Sequence, residues 1–183
     1  MGQVSEILKQ DADEMYRVTE ALFGLVDDLD WKPATGANWM TTGQLLRHCS
    51  EACGKSLRGF ITGDWGMLEG QSTDDIPEED MLPSADRLPT VESVDEARRL
   101  LAADRALAMS LLTDVGDDRL LGERSAPPWG GPERTLFQHC NEMVWHLGQH
   151  KGQLFYYLKL QGKPVNTYHL WMGGEPEVPA SAS

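Results

Sequence analysis

Two histidines, His146 and His150, stand four residues apart in the stretch His-Leu-Gly-Gln-His-Lys-Gly-Gln, inside a segment of helical periodicity from about Thr135 to Gln161. On an α-helix that spacing puts both imidazoles on one face, with Cβ atoms roughly 5–6 Å apart. One metal ion can then take a nitrogen from each, as in helical zinc sites. The pair alone is as compatible with chance as with a metal site, so a third ligand decides. His48 is the candidate, three residues after Leu45 and four before Ala52, on the apolar side of another helical segment. A lone histidine in such a place is more often a hydrogen-bonded core group than a ligand. In a helix bundle, however, ligands on facing helices converge in the interior. His48, His146 and His150 together would leave a position open, as catalytic rather than structural zinc does.

On a helical wheel, His139, Glu142, His146, His150, Gln153 and Tyr157 fall in one narrow strip beside the apolar Leu136, Met143, Leu147, Leu154 and Leu158. The polar strip therefore borders the buried face, where polar groups need partners. Glu142, one turn before His146, has three readings: fourth ligand, general base, or acceptor for an imidazole N–H. The last is the most conservative. His139 reads as structural and His169 as unrelated to the site. Cys49 and Cys53 share a helix face and read as core packing rather than sulfur ligands. There is no His-Glu-x-x-His, and Glu142 to His146 is one residue too long for the Glu-x-x-His of di-iron bundles. Gly-x-Gly-x-x-Gly, Walker and Gly-x-Ser-x-Gly motifs are absent from the sequence.

Four helical segments would position these residues. The first, about 3–29, carries a stripe through Leu8, Met15, Val18, Leu22 and Leu29 and ends at Asp30-Trp31-Lys32-Pro33, because the residue before proline leaves the α region. The second, about 41–62, opens on Thr41 with Gln44 three residues on, a capping box. The third, about 93–115, opens on Ser93 with Glu96 in the same relation. The fourth, about 134–161, stops at Gly162-Lys163-Pro164. Residues 164–183 read as an extended tail. No alternation persists long enough for a sheet, and the class is all-α in one domain. Between the second and third helices, Asp64 to Thr90 carries Glu69, Asp74, Asp75, Glu78, Glu79, Asp80 and Asp86 against Arg87. It reads as a solvated loop that could also cover one end of a bundle.

Composition bounds the partners. With 183 residues, 40% hydrophobic and 25% charged, the chain is of globular type. A formal charge of -13 argues against nucleic acid or an anionic membrane, which want basic patches. No apolar run approaches a membrane span, and the N-terminal residues enter an amphipathic pattern with no secretory signal. Three cysteines without framework spacing point to reduced thiols and a cytoplasmic setting.

The segment Asn38-Trp39-Met40-Thr41-Thr42-Gly43-Gln44-Leu45-Leu46-Arg47-His48 resembles the opening of the second helix in the DinB/YfiT-like superfamily. His146-x-x-x-His150-Lys151-Gly152-Gln153 is similar to that family's His-x-x-x-His-Arg-Gly-Gln, and the end of the helix, Tyr156 to Pro164, resembles its usual ending. The resemblance implies a four-helix bundle of up-down-down-up order, often dimeric. It also implies a divalent ion, zinc or nickel, held by His48, His146 and His150. Characterised relatives include S-transferases using bacillithiol, mycothiol or glutathione, and maleylpyruvate isomerase. Two departures stand out. Lys151 replaces the common arginine and loses its planar fork, and Glu142 stands where many members carry a further histidine.

The expected function is thus a metal-dependent enzyme that activates a low-molecular-weight thiol toward a small-molecule electrophile. Trp39, Trp145 or Tyr157 would serve as aromatic walls, with the acidic 64–90 segment at the entrance. A hydrolase using water at the same ion is the near alternative. A metal-stabilised dimeric binding or stress-response module is the non-enzymatic one.

Overall fold

A computed structural model describes residues 2–67, 76–77 and 83–176. Helix α1 spans Gln3–Phe23. Its N-terminus is capped from far away, the Asp117 carboxylate accepting the N–H groups of Val4 and Ser5 at 3.1 and 3.0 Å. It ends six residues before the expected 29. Leu25 and Val26 donate to the carbonyls of Leu22 and Phe23, the i→i+3 tightening typical of a last turn.

Helix α2 is Thr42–Cys49, and the Thr41–Gln44 capping box is present in both directions. The Gln44 amide also donates to the carbonyls of Ala85 and Leu88, at 2.8 Å each. Here the structure departs from the expected continuous helix over 41–62, because residues 50–53 interrupt it and α3 starts anew at Gly54–Thr62. The Ser50 hydroxyl donates to the carbonyls of Leu46 and Ala97 at 2.8 and 3.0 Å. Buried Asp104, from the next long helix, accepts the N–H groups of Gly54 and Lys55 at 2.8 and 2.9 Å. The carboxylate thus supplies the acceptors that a helix start lacks. Only glycine fits there, since a Cβ on residue 54 would lie 2.3 Å from the Asp104 carbonyl oxygen.

Helix α4 is Val94–Asp114, with the Ser93 hydroxyl accepting the N–H of Glu96. The Glu96 carboxylate reaches the Glu92 N–H at 2.6 Å rather than that of Ser93, one residue off the expected box. A short α5, Asp117–Gly122, leads to the antiparallel pair β1 Arg124–Ser125 and β2 Arg134–Thr135, with Arg124 opposite Thr135. Thr135 and Gln138 then cap α6, Leu136–Leu160. Gly162 takes the left-handed conformation (φ 78°) that closes it. The expected extended tail contains another helix, α7, Thr167–Met172, capped by Asn166. Residues 177–183 lie outside the described residues, as do Glu69, Asp74, Asp75, Glu78, Glu79 and Asp80 of the acidic segment.

The structure is mostly helical. Helix α1 packs along α4 and α6, α3 fits between α4 and α6, and α2 lies on α6. The core they enclose includes Leu8, Tyr16, Phe23, Leu46, Leu57, Leu112, Leu147 and Leu154, each buried. The packing of α2 on α6 is what brings the candidate ligands together.

Candidate metal centre

His48 stands in the last turn of α2, while His146 and His150 are one turn apart on α6. Their Nε2 atoms converge, with His48 to His146 at 3.1 Å and His150 to His146 at 3.0 Å. A ligating nitrogen from each lies within 4.8 Å of the others. Ligands at zinc–nitrogen distances sit about 3.3 Å apart in a tetrahedral site and about 2.9 Å apart in a cis octahedral one, and the two separations measured from His146 fall between these values.

Proton placement supports the same reading. A ring nitrogen offers one in-plane direction, either a lone pair or an N–H. The Nε2 of His146 has two ring nitrogens against it and can hydrogen-bond only one of them. The Nδ1–H of His150 donates to Gln153 Oε1 at 3.0 Å, so its Nε2 carries a lone pair. Three nitrogens so arranged lack the protons to satisfy one another, and a shared cation satisfies all three.

A hydrogen-bonded chain holds this tautomer. Gln153 Nε2 donates to Tyr157 Oη at 3.1 Å, and the Tyr157 hydroxyl donates to the Met40 carbonyl at 3.0 Å. Tyr157 is buried and wedged edge-on between Trp31 and Trp39. The His146 ring faces the Ala52 carbonyl in the break after α2. Such outer partners fix ring orientation and ligand basicity. Burial lowers the pKa of all three imidazoles, that of His48 to about 4, with the neighbouring rings adding to the effect on His48 and His146. Near neutral pH they are uncharged, the form a metal requires.

The other sequence candidates fall elsewhere. Glu142 is exposed and lines the cleft above the triad, but its Oε2 accepts from Arg134 Nη1 at 3.1 Å and it stands outside the three-nitrogen group. His139 is fully buried, stacked on Phe60 at 4.2 Å, with Nε2 2.9 Å from the Ser125 carbonyl. It pins the β pair to α6, the structural role expected. His169 takes part in the cap of α7. Cys49, Cys53 and Cys140 are unpaired and buried, their thiols pushed up to about 12 by burial. Lys151 is buried too, its Nζ donating to the Leu170 carbonyl at 2.8 Å beneath the Trp171 ring. The lysine that replaces the family's arginine thus ties α6 to α7.

The triad opens on a cleft of about 610 Å³ whose walls include Met40, Met143, Trp129, Trp145, Pro83, Ala85 and Leu88, with Asn38, Ser56 and Gln149 as polar members. Of the expected aromatic walls, Trp145 is there. Tyr157 instead stands behind the three histidines, linked to His150 through Gln153, and Trp39 lines a separate surface cleft with Lys32, Pro33 and Asp86. Trp129, Ser56, Asn38 and Gln149 were not anticipated. Gln149 is legible in hindsight, three residues after His146 on the same helix. Asn38 holds the left-handed conformation (φ 59°) and accepts the Ala85 N–H at 2.8 Å, which fastens the 83–88 segment over the cleft.

Residues 8–154 match the family model of the DinB superfamily. The chain belongs to the DinB superfamily. No curated protein and no solved structure matches it. Two of the three sequence segments that carried the resemblance lie at the triad of this DinB protein: 38–48 contributes Asn38, Met40 and His48 to the cleft, and 146–153 contributes His146, Gln149 and His150, with Gln153 behind them.

Proposed function

We propose that this DinB-superfamily protein is a divalent-metal-dependent enzyme of the S-transferase type, joining a low-molecular-weight thiol to a small electrophile. One observation carries the reading: the Nε2 atoms of His48, His146 and His150 converge at the floor of an open cleft. Zinc or nickel would be held by these three nitrogens, leaving a position toward the cleft. The chemistry supplied by such an ion when bound is a lowered thiol pKa at that position. The remaining tasks belong to the chain. Gln153 and Tyr157 hold His150 in the ligating tautomer, Trp129 and Trp145 wall off an apolar partner, and Glu142 is within the cleft to accept or return a proton. The chain's own cysteines are buried and strongly protonated, so the reacting thiol comes from a co-substrate.

The reading includes an up-down-down-up bundle in which α2 and α3 act as one bent helix. It also includes a single domain, a cytoplasmic setting, a homodimer, and no nucleic-acid or membrane partner. Supporting these are the charge of -13 and the exposed apolar surface of Trp145, Tyr168, Trp171 and Met172. Among the described residues no helix is long and apolar enough to cross a membrane.

The test is conjugation of common thiols to a chloronitroaromatic by the metal-loaded protein. Turnover that is lost on chelation and in His48→Ala is expected. Metal-dependent ester cleavage without any thiol would favour the hydrolase, and absence of both activities would favour a non-catalytic module.

A further inference from the structure

The triad stands where two clefts meet, since His48, His146, Ser56 and Leu88 line both, and the two differ in the charged side chains in their walls. The larger has Trp129 and Trp145 in its wall, and among its described lining residues the carboxylate, Glu142, is paired with Arg134. The smaller, about 280 Å³, has Arg47 and Lys55 in its wall together with Gln44 and Glu51. These two cations share one counterion: Glu51 Oε1 accepts from Arg47 Nη2 at 2.8 Å and from Lys55 Nζ at 2.6 Å. One positive charge is left over beside the histidines, in a chain whose net charge is -13. The Arg47 side chain is 26% exposed, so its guanidinium is within reach of a ligand in the cleft, where charge-assisted hydrogen bonds to an oxygen are strong.

We propose that the smaller cleft is a carboxylate-binding subsite, in which Arg47 and Lys55 hold the carboxylate of the co-substrate, while the larger cleft receives an uncharged, apolar electrophile. The inference rests on the S-transferase reading and specifies which thiols that site prefers. A single carboxylate matches the one uncompensated charge, whereas a phosphate dianion would leave an excess negative charge next to Glu51. The division is also productive. The carboxylate is anchored on the His48 side of the triad, so the thiol end is directed to the shared wall and the electrophile approaches from the other side.

The full chain loaded with cobalt(II) reports thiol binding through its thiolate-to-cobalt absorption band. A series of mercaptocarboxylates of increasing chain length is titrated against the corresponding mercaptoalcohols. At least one acid is expected to bind about tenfold or more tightly than its alcohol. Arg47→Gln is expected to abolish that advantage without changing alcohol binding. Lys55→Gln, at a half-exposed position where folding is not at stake, is expected to reduce it several-fold. Equal affinity for acids and alcohols at every length, or an advantage that survives both substitutions, overturns the subsite alone. Failure to take up cobalt overturns the underlying metal reading, and the subsite with it.

Discussion

The carboxylate of Asp104, in the middle of α4, caps the N–H of Gly54 at the start of α3, across 50 residues of sequence. The Tyr16 hydroxyl donates to the same carboxylate at 2.6 Å and accepts the Gly54 N–H at 3.0 Å. This buried network ends α2 just after His48 and lets the following turn present the Ala52 carbonyl to His146. Asp104→Ala would leave the Tyr16 hydroxyl and the Lys55 N–H without their acceptor and the Gly54 N–H with Tyr16 alone, an expected cost of about 2–4 kcal/mol. Gly54→Ala, forcing a methyl against the Asp104 backbone, is expected to cost at least as much. Denaturant unfolding of the two variants checks this, and a loss under about 0.5 kcal/mol in either would contradict the role given to the network.

Gln153 accepts the Nδ1–H of His150 and so would act on a bound metal through that ring. Gln153→Leu is expected to weaken metal affinity by about 10–100-fold, with Tyr157→Phe weaker in effect because it removes only the last link. Competition with a chromophoric chelator gives the affinities. Unchanged affinity in Gln153→Leu would show that the tautomer is fixed by something else.

Acid should destabilise the metal-free protein. His48 has a folded-state pKa of about 4 against an ordinary 6.5, and His146 and His150 are lowered as well. Below 6.5 the unfolded chain therefore binds more protons than the folded one, and stability falls as the pH drops from about 6.5 to about 4. The His48 contribution is at most about 3 kcal/mol. Unfolding free energies of the chelated protein across that range should show the loss, and His48→Gln should flatten it. A pH-independent stability in the native sequence would contradict the burial of the triad.

The thiols of Cys49, Cys53 and Cys140 are buried and pushed up to about 12. Native protein is expected to resist an aromatic disulfide reagent at neutral pH, and all three thiols should react after unfolding. Rapid labelling of one thiol in the folded protein would reopen the question of an internal nucleophile.

The sequence made the three-histidine group legible because helical spacing is a local property. His146 and His150 share a face by arithmetic alone, and His48 lies on an apolar stripe after a capping box that forms as expected. The break at 50–53 was illegible for the opposite reason. It depends on Asp104, which lies within the apolar stripe of α4 between Leu101 and Ala108, and nothing in the sequence around Cys53 points to it. Trp129 escaped notice likewise, since it reaches the cleft from the turn between β1 and β2. Glu142 illustrates the limit of the helical wheel, which placed it beside the histidines but not the Arg134 that pairs with it.

Metal analysis joined to X-ray absorption is the most direct check on the triad. The protein, loaded with zinc or nickel and freed of excess ion, is expected to retain about one ion per chain, with imidazole nitrogens at about 2.0–2.1 Å for zinc. His48→Ala, His146→Ala and His150→Ala should each lose the ion while remaining folded. A native protein that holds no ion after loading, or one that keeps its ion when these histidines are removed, would contradict the metal centre.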